Sequence, residues 1–300
     1  MKIFATALVL AVSMSLGSGL PALARDRQDK VELRWKWTKG QELVYKSSQK
    51  MIMEFGGAPM EQAMGYTYSM SVNEVADTGE ATLTIKYLAV VARGSIPVEY
   101  DYDSEKDKEA PADGPAAMQA KMVGQSFTMK LNPLGLVTSV QGYDKVLEAM
   151  MKGAPQDNPQ MRMQLKQMYN DESFKGQMQQ MFPPLPEAKV GKDDPWKSEF
   201  LVKVPMLGGM TFTQDSKVTD VKEGNAHFDQ DLKVEMKGDK ENPLAGVMEL
   251  KEAKGKASAA FSTDKGCIVT QKSTMAMKMT VQGNPLTMTT TGELRLVSRK

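Results

Sequence analysis

Two stretches of the chain repeat one design. Residues 50–72 read KMIMEFGGAPMEQAMGYTYSMSV, and residues 273–296 read STMAMKMTVQGNPLTMTTTGELRL. In the first, Met51, Met53 and Phe55 lead to Gly57-Ala58-Pro59, and Met60, Met64, Tyr66, Tyr68, Met70 and Val72 follow. In the second, Met275, Met277, Met279 and Val281 lead to Gly283-Asn284-Pro285, and Leu286, Met288, Leu294 and Leu296 follow. A spacing of two puts successive side chains on one face of a strand. Glycine and proline between the arms supply turn chemistry, so each stretch is expected to be a β-hairpin with one apolar face. Burying one large apolar side chain is worth roughly 1.5–3 kcal/mol. These faces therefore cannot stay in water, and must meet helices, the opposite half of the protein or a ligand.

The same alternation occurs elsewhere. Val31, Leu33, Trp35 and Trp37 alternate with charged residues, which predicts a further strand. Leu43 and Tyr45 run in phase with Met51, so the first arm is expected to reach from Leu43 to Phe55. At about 3.3 Å per residue that is a strand of roughly 43 Å, long enough to suggest a large curved sheet or an open barrel. An internal repeat accompanies it. Tyr66-Thr67 is followed by Val72, Val75, Gly79, Ala81 and Leu83, and Phe212-Thr213 by Val218, Val221, Gly224, Ala226 and Phe228. The spacing agrees apart from one residue lost before the glycine, which points to two related β halves.

Between the halves the period changes to that of a helix. Val146, Leu147, Met150 and Met151 share one helical face, and Met161, Leu165, Met168 and Tyr169 share another, with Met178, Met181 and Phe182 beyond. A short helix is also expected across Pro115–Val123. The expected organisation is a signal peptide over 1–24, an N-terminal β half over 25–141, a helical connection over 142–182 and a C-terminal β half over 183–300. The fold class is mainly β (α+β), with long antiparallel strands in a curved sheet or open half-barrel.

The N-terminus carries Lys2, an apolar run to Leu16 and Ala22-Leu23-Ala24, the pattern of a cleavable secretory signal. Cleavage after Ala24 would leave no membrane span, because no later apolar run approaches spanning length. The protein is expected to be exported, periplasmic or secreted. Removing Lys2 takes the formal charge from +1 to 0, which gives no reason to expect nucleic acid as a partner.

Catalytic chemistry has few candidates. His227 is the lone histidine and shares a strand with the inward Ala226 and Phe228, so it points outward. Triads and multi-histidine zinc sites are thereby severely limited. Asp101, Asp103 and Glu105 have the spacing of a calcium loop, but Lys106 stands where glycine is needed and Ala112 where a bidentate glutamate is needed. Cys267 is the lone cysteine and falls on a buried parity as a packed thiol. No catalytic residue, metal ligand or cofactor is assigned.

Methionine is the unusual material. Thioethers on a strand face are adaptable apolar filler and can also serve as soft Cu(I) ligands, but a three-sulfur site would need a neighbouring strand to contribute. The candidate ligand-binding residues are Met51, Met53, Met150, Met151, Met168, Met275, Met277 and Met279. The expected function is non-catalytic binding of an apolar or lipid-like ligand, or of an envelope protein, with Cu(I) binding as the alternative. Space beneath the helices is expected to be apolar, with few polar groups.

LRWKWTKGQELVYKSSQKMIM, VGQSFTMKLNPLGLVTSVQGYDKVLEAM and FPPLPEAKVGKDDPW occur in the order seen in a group of exported bacterial proteins. On these segments the chain resembles domain of unknown function family 6263, most specifically at Gly124, Phe127, Gly135, Val137, Val140, Gly142 and Leu147. The resemblance implies no established activity and no site residues. By fold-level analogy, long strands under a helical segment look like the half-barrel carriers of lipids and lipoproteins.

The signal features predict a mature N-terminus at Arg25. N-terminal sequencing of the extracytoplasmic protein from its own host checks this. A dominant form that retains Met1 would contradict it.

Overall fold

The computed structural model describes residues 30–95, 99–152, 170–204, 208–237 and 248–300. The expected signal peptide and the face of Met161, Leu165, Met168 and Tyr169 lie outside them. The strands are β1 (Glu42–Phe55), β2 (Ala58–Val75), β3 (Ala81–Gly94), β4 (Tyr100–Asp103), β5 (Ser126–Leu131) and β6 (Val137–Gln141), then β7 (Pro195–Val204), β8 (Gly208–Lys222), β9 (Asn225–Lys237), β10 (Met248–Ser262), β11 (Cys267–Val281) and β12 (Asn284–Arg299). Among the described residues the helices are α1 (Gly114–Ala120), α2 (Tyr143–Met151) and α3 (Asp171–Met181).

All twelve strands belong to one antiparallel sheet, ordered β6-β5-β3-β2-β1-β12-β11-β10-β9-β8-β7, with β4 on β3. The chain thus makes two meanders, and pairing of β1 with β12 joins them. The outermost strands β6 and β7 do not pair, so the sheet stays open.

The two methionine-rich hairpins, β1–β2 and β11–β12, stand side by side at the centre. Their turns are two residues long, Gly56-Gly57 between Phe55 and Ala58, and Gln282-Gly283 between Val281 and Asn284. All four turn residues have positive φ, the conformation whose twist matches a tight hairpin and which glycine adopts without strain. Pro59 and Pro285 therefore lie in the returning strands rather than in the turns. Each sits beyond the last residue paired on its strand's other side, where a missing N–H costs no ladder bond.

The aligned hairpins of the internal repeat, β2–β3 and β8–β9, are both present. Each carries a β-bulge at the aligned place, between Val72 and Glu74 and between Val218 and Asp220.

One end of the sheet is closed. It carries the β2–β3, β5–β6, β8–β9 and β10–β11 turns and most of the core, including Leu43, Tyr45, Met70, Leu83, Met129, Phe228, Phe261 and Ile268. Residues 31–37 run across this end. Their alternation is as expected, with Leu33 and Trp35 buried, but the strand expected there does not form. Among the described residues the segment makes one bridge, Val31 with Val190, and single bonds from Trp35 N–H to Pro133 O and from Lys36 N–H to Gly266 O. It is a strap whose backbone bonds are shared among loops of both meanders. Trp35 stacks on Trp37 and meets Phe182 and Phe261 edge-on.

Helix α3 fills the gap between β6 and β7. Gln179 is buried, and its amide oxygen accepts from Val137 N–H while its amide nitrogen donates to Gly135 O and Phe182 O. The side chain thus offers the edge of β6 what a neighbouring strand would offer. On the β7 side the approach is close, since a Cβ on Gly176 would stand 2.8 Å from Val202 Cγ1. Replacing Gln179 by Ala should leave buried peptide groups unpaired and cost about 1–3 kcal/mol. Urea denaturation reads the loss, and hydrogen exchange should accelerate in β6 while β1 and β12 keep their protection.

Candidate functional site

The sheet and the helices line a cavity of about 900 Å3. One end of it is sealed by the buried core. Its lining toward the β1–β2 and β11–β12 turns, Met51, Met277, Met279 and Met288, is only half-buried, so it opens there. Strand pairing fixes which side chains face it, because directly opposed residues of an antiparallel pair share a face.

Its floor is aromatic. Tyr68 stacks on Tyr45 beneath it, while Tyr66 and Phe127 each lie tilted against Tyr87. Phe127 in turn meets the stacked pair Tyr143 and Phe174 edge-on, which ties α2 and α3 to β5. The Tyr45 hydroxyl donates to Ile268 O at 2.8 Å, and that of Tyr66 to Gln119 Oε1 of α1 at 3.2 Å. Burial pushes the Tyr66 phenol up to about 12, with a smaller push from Tyr100. Burial also raises Tyr45, Tyr68 and Tyr87 well above the ordinary phenol range.

Midway up, the wall is polar but uncharged. Gln214 accepts from the Ser198 hydroxyl at 3.1 Å, and Gln230 donates to Ser216 Oγ at 3.0 Å. Gln271 also lines the cavity, and its Oε1 is buried without a partner. Gln119, Gln177 and Gln180 face the space from the helices. The expectation of an interior with few polar groups is therefore corrected. The strand glutamines Gln214, Gln230 and Gln271 sit on the inward parity, as Gln214 does beside Phe212.

The mouth is lined with methionine. Met51 and Met64 come from the first meander and Met210, Met275, Met277, Met279 and Met288 from the second, whereas Met150, Met178 and Met181 of the helices border the space from beside the core of the closed end. Of the candidate ligand residues, Met51, Met150, Met275, Met277 and Met279 line the cavity. Met53 lies on the same sheet face in the adjoining row, directly opposite Met288. Met151 is buried in packing and does not border the space. Met168 lies outside the described residues.

Among the described lining residues Glu293 alone is charged, and it belongs to the outward parity of β12. Among the described residues no group of three His, Cys, Asp or Glu gathers as a metal site. Cys267 is buried at the closed end, and burial raises its thiol above the ordinary value. His227 lies outward between buried Ala226 and Phe228. The acidic loop is an ion-paired turn: Asp103 accepts from Glu105 N–H and pairs with Lys106 Nζ at 2.8 Å. No helix among the described residues is long and apolar enough to cross a membrane.

Residues 78–294 match the Family of unknown function DUF6263. The chain belongs to this family. The DUF6263 match runs from the β2–β3 turn into β12, so it takes in the amide-bearing strands, the seam helix and the methionines of β11. No curated protein matches the chain. Among solved structures, it is similar to DynF from the dynemicin biosynthesis pathway of Micromonospora chersina, at 8% identity over 90% of this chain and 85% of that one, with a TM-score of 0.21. It is also similar to an outer membrane channel from Pseudomonas putida F1, at 10% identity over 91% and 99%, with a TM-score of 0.23. Likeness at these scores carries no argument about function.

The buried phenols predict alkaline lability. An unfolded tyrosine ionises near pH 10. In the fold these tyrosines stay neutral to higher pH, so their stabilising contribution is full below about pH 10 and is lost as pH rises toward their folded values. Ultraviolet absorbance of tyrosinate should show fewer of the eight tyrosines ionised in native protein than in denatured protein between about pH 10 and 12, with unfolding across that window. Native protein that titrates all eight near pH 10 would contradict this burial.

Proposed function

We propose that the protein is a non-catalytic binding protein of the cell envelope whose cavity holds an uncharged or weakly polar amphiphile. One observation supports this reading above the rest. A cavity of about 900 Å3, within the ~300–1,000 Å3 range of small-molecule sites, is lined by apolar, amide and hydroxyl groups with a single carboxylate at its edge. Bringing a charge into such surroundings is costly, so a charged headgroup would remain at the mouth. Acid–base and nucleophilic catalysis need groups that ionise near neutral pH. Among the described strands the titratable groups that face inward into the cavity are Tyr66, Tyr68 and Tyr87, held neutral by burial. The methionine rim repacks readily around chains of different shape. The signal sequence expected over residues 1–24 supports an extracytoplasmic setting.

The envelope protein considered as a partner has less support. The large apolar residues that are exposed, Phe55, Leu88, Val123, Leu136, Leu201 and Val297, are distributed over different elements and do not offer one patch by sequence or strand.

Native mass spectrometry of the protein purified from its own host should find an apolar molecule bound one to one. Displacement of N-phenyl-1-naphthylamine then ranks ligands: hexadecanol and monopalmitoylglycerol should displace it about tenfold better than palmitate, a difference of roughly 1.4 kcal/mol. No saturable probe binding, or a preference for palmitate over its neutral counterparts, would overturn the proposal.

A further inference from the structure

The strand register brings four methionines into one line. Met60 of β2 is opposite Met53 of β1, Met53 is opposite Met288 of β12, and Met288 is opposite Met277 of β11. Opposed residues point to the same face with Cβ atoms about 4.5–5.5 Å apart, a separation that long, flexible methionine side chains can close. All four are half-buried, close to the mouth, where an ion from solvent can reach them. We propose that this line is a Cu(I) site in which the thioether sulfurs of Met53, Met288 and Met277 are the ligands and Met60 stands beside them.

Three features argue for a soft ion. The adjoining residues on this face are Gln62, Met51, Thr290 and Met275 in the row below, and Ala58, Phe55, Leu286 and Met279 in the row above, so beside one amide and one hydroxyl the donors at hand are thioethers, with no carboxylate, imidazole or thiolate in these rows. Thioethers suit Cu(I) and serve Mg2+, Ca2+ or Zn2+ poorly, since those ions take oxygen, imidazole or thiolate. Cys267 and His227, the chain's one thiol and one imidazole, belong to the closed end of the sheet and cannot join. Finally, the methionine is positional. The same strands fill their closed ends with Leu43, Tyr45, Met70, Val72 and Leu294, and concentrate sulfur where the cavity opens. Strand faces are ordinarily filled by β-branched and aromatic residues, so packing alone does not call for a line of four thioethers.

The chemistry gives the site a signature. Thioether ligands carry no proton to lose, so affinity should be the same from about pH 6 to about pH 8, unlike a thiolate or imidazole site, which releases protons on binding. Binding is simple coordination of Cu(I) supplied as such, with no change of oxidation state.

The test is anaerobic titration of the mature chain with Cu(I) under ascorbate against bicinchoninate. The expected result is one Cu(I) per chain, with only sulfur in the first coordination sphere by X-ray absorption, and no competition from Zn(II). Loss of even an outer-shell partner typically weakens metal binding about 10–100-fold, so Met288→Leu, which removes the central donor, should weaken it by at least that much. Met70→Leu at the closed end should leave it unchanged. Leucine conserves volume and apolarity, and circular dichroism verifies that Met288→Leu is folded. Should that variant not fold, Met53→Leu serves in its place. Failure of the native chain to take Cu(I) from the competitor would overturn the proposal. So would undiminished binding in folded Met288→Leu, or an affinity that falls tenfold on acidification across that pH range.

Discussion

The pairing of β1 with β12 is the interaction on which the rest depends. It runs from Leu43 opposite Arg299 to Phe55 opposite Leu286, and joins strands more than 200 residues apart. Each meander alone would be a curved sheet with one apolar face turned to water. Joined through this ladder, the two faces curve toward each other and share one interior. The same ladder sets the two methionine-rich hairpins in register, so that sulfur from both halves meets at the mouth. Loop-closure entropy grows only slowly with length, so the long separation costs less stability than it suggests. It weighs more on the folding rate, because such non-local pairing forms late.

Closure elsewhere uses weaker devices. The strap of residues 31–37 holds the closed end with one two-bond bridge, two single backbone bonds and the Trp35 cluster. Between β6 and β7 the continuous ladder gives way to α3, with one glutamine amide standing in for a strand and one glycine permitting close approach. Local opening follows the weakest cooperative unit. The interior should therefore widen at this seam while the central ladder holds.

Much of this was legible in the sequence. Period-two alternation located both central hairpins, and the phase of Leu43 and Tyr45 with Met51 set the length of β1. The helical period found α2 and the face of Met178 and Met181 on α3. Alternation failed at Val31–Trp37 because burial of every second side chain requires only an extended backbone, not a continuous partner strand. Position of the turns was shifted by Pro59 and Pro285, which read as turn residues but occupy strand ends that lack a second neighbour. The cavity's amides were missed because Gln214, Gln230 and Gln271 look like ordinary solvent-facing residues until the register turns them inward. The line Met60, Met53, Met288 and Met277 could not be read at all from spacing, since it exists only through pairing between the chain's two ends.

The central claim is that both meanders border a single ligand space with a methionine mouth. Carbon-13 methyl labelling of methionine, read by NMR during titration with hexadecanol, tests it residue by residue. Met51 and Met64 of the first meander and Met210 and Met277 of the second should shift together along one saturation curve. Met70, fully buried and outside the cavity, should not move. Shifts confined to one meander, or separate curves for the two, would contradict a shared cavity.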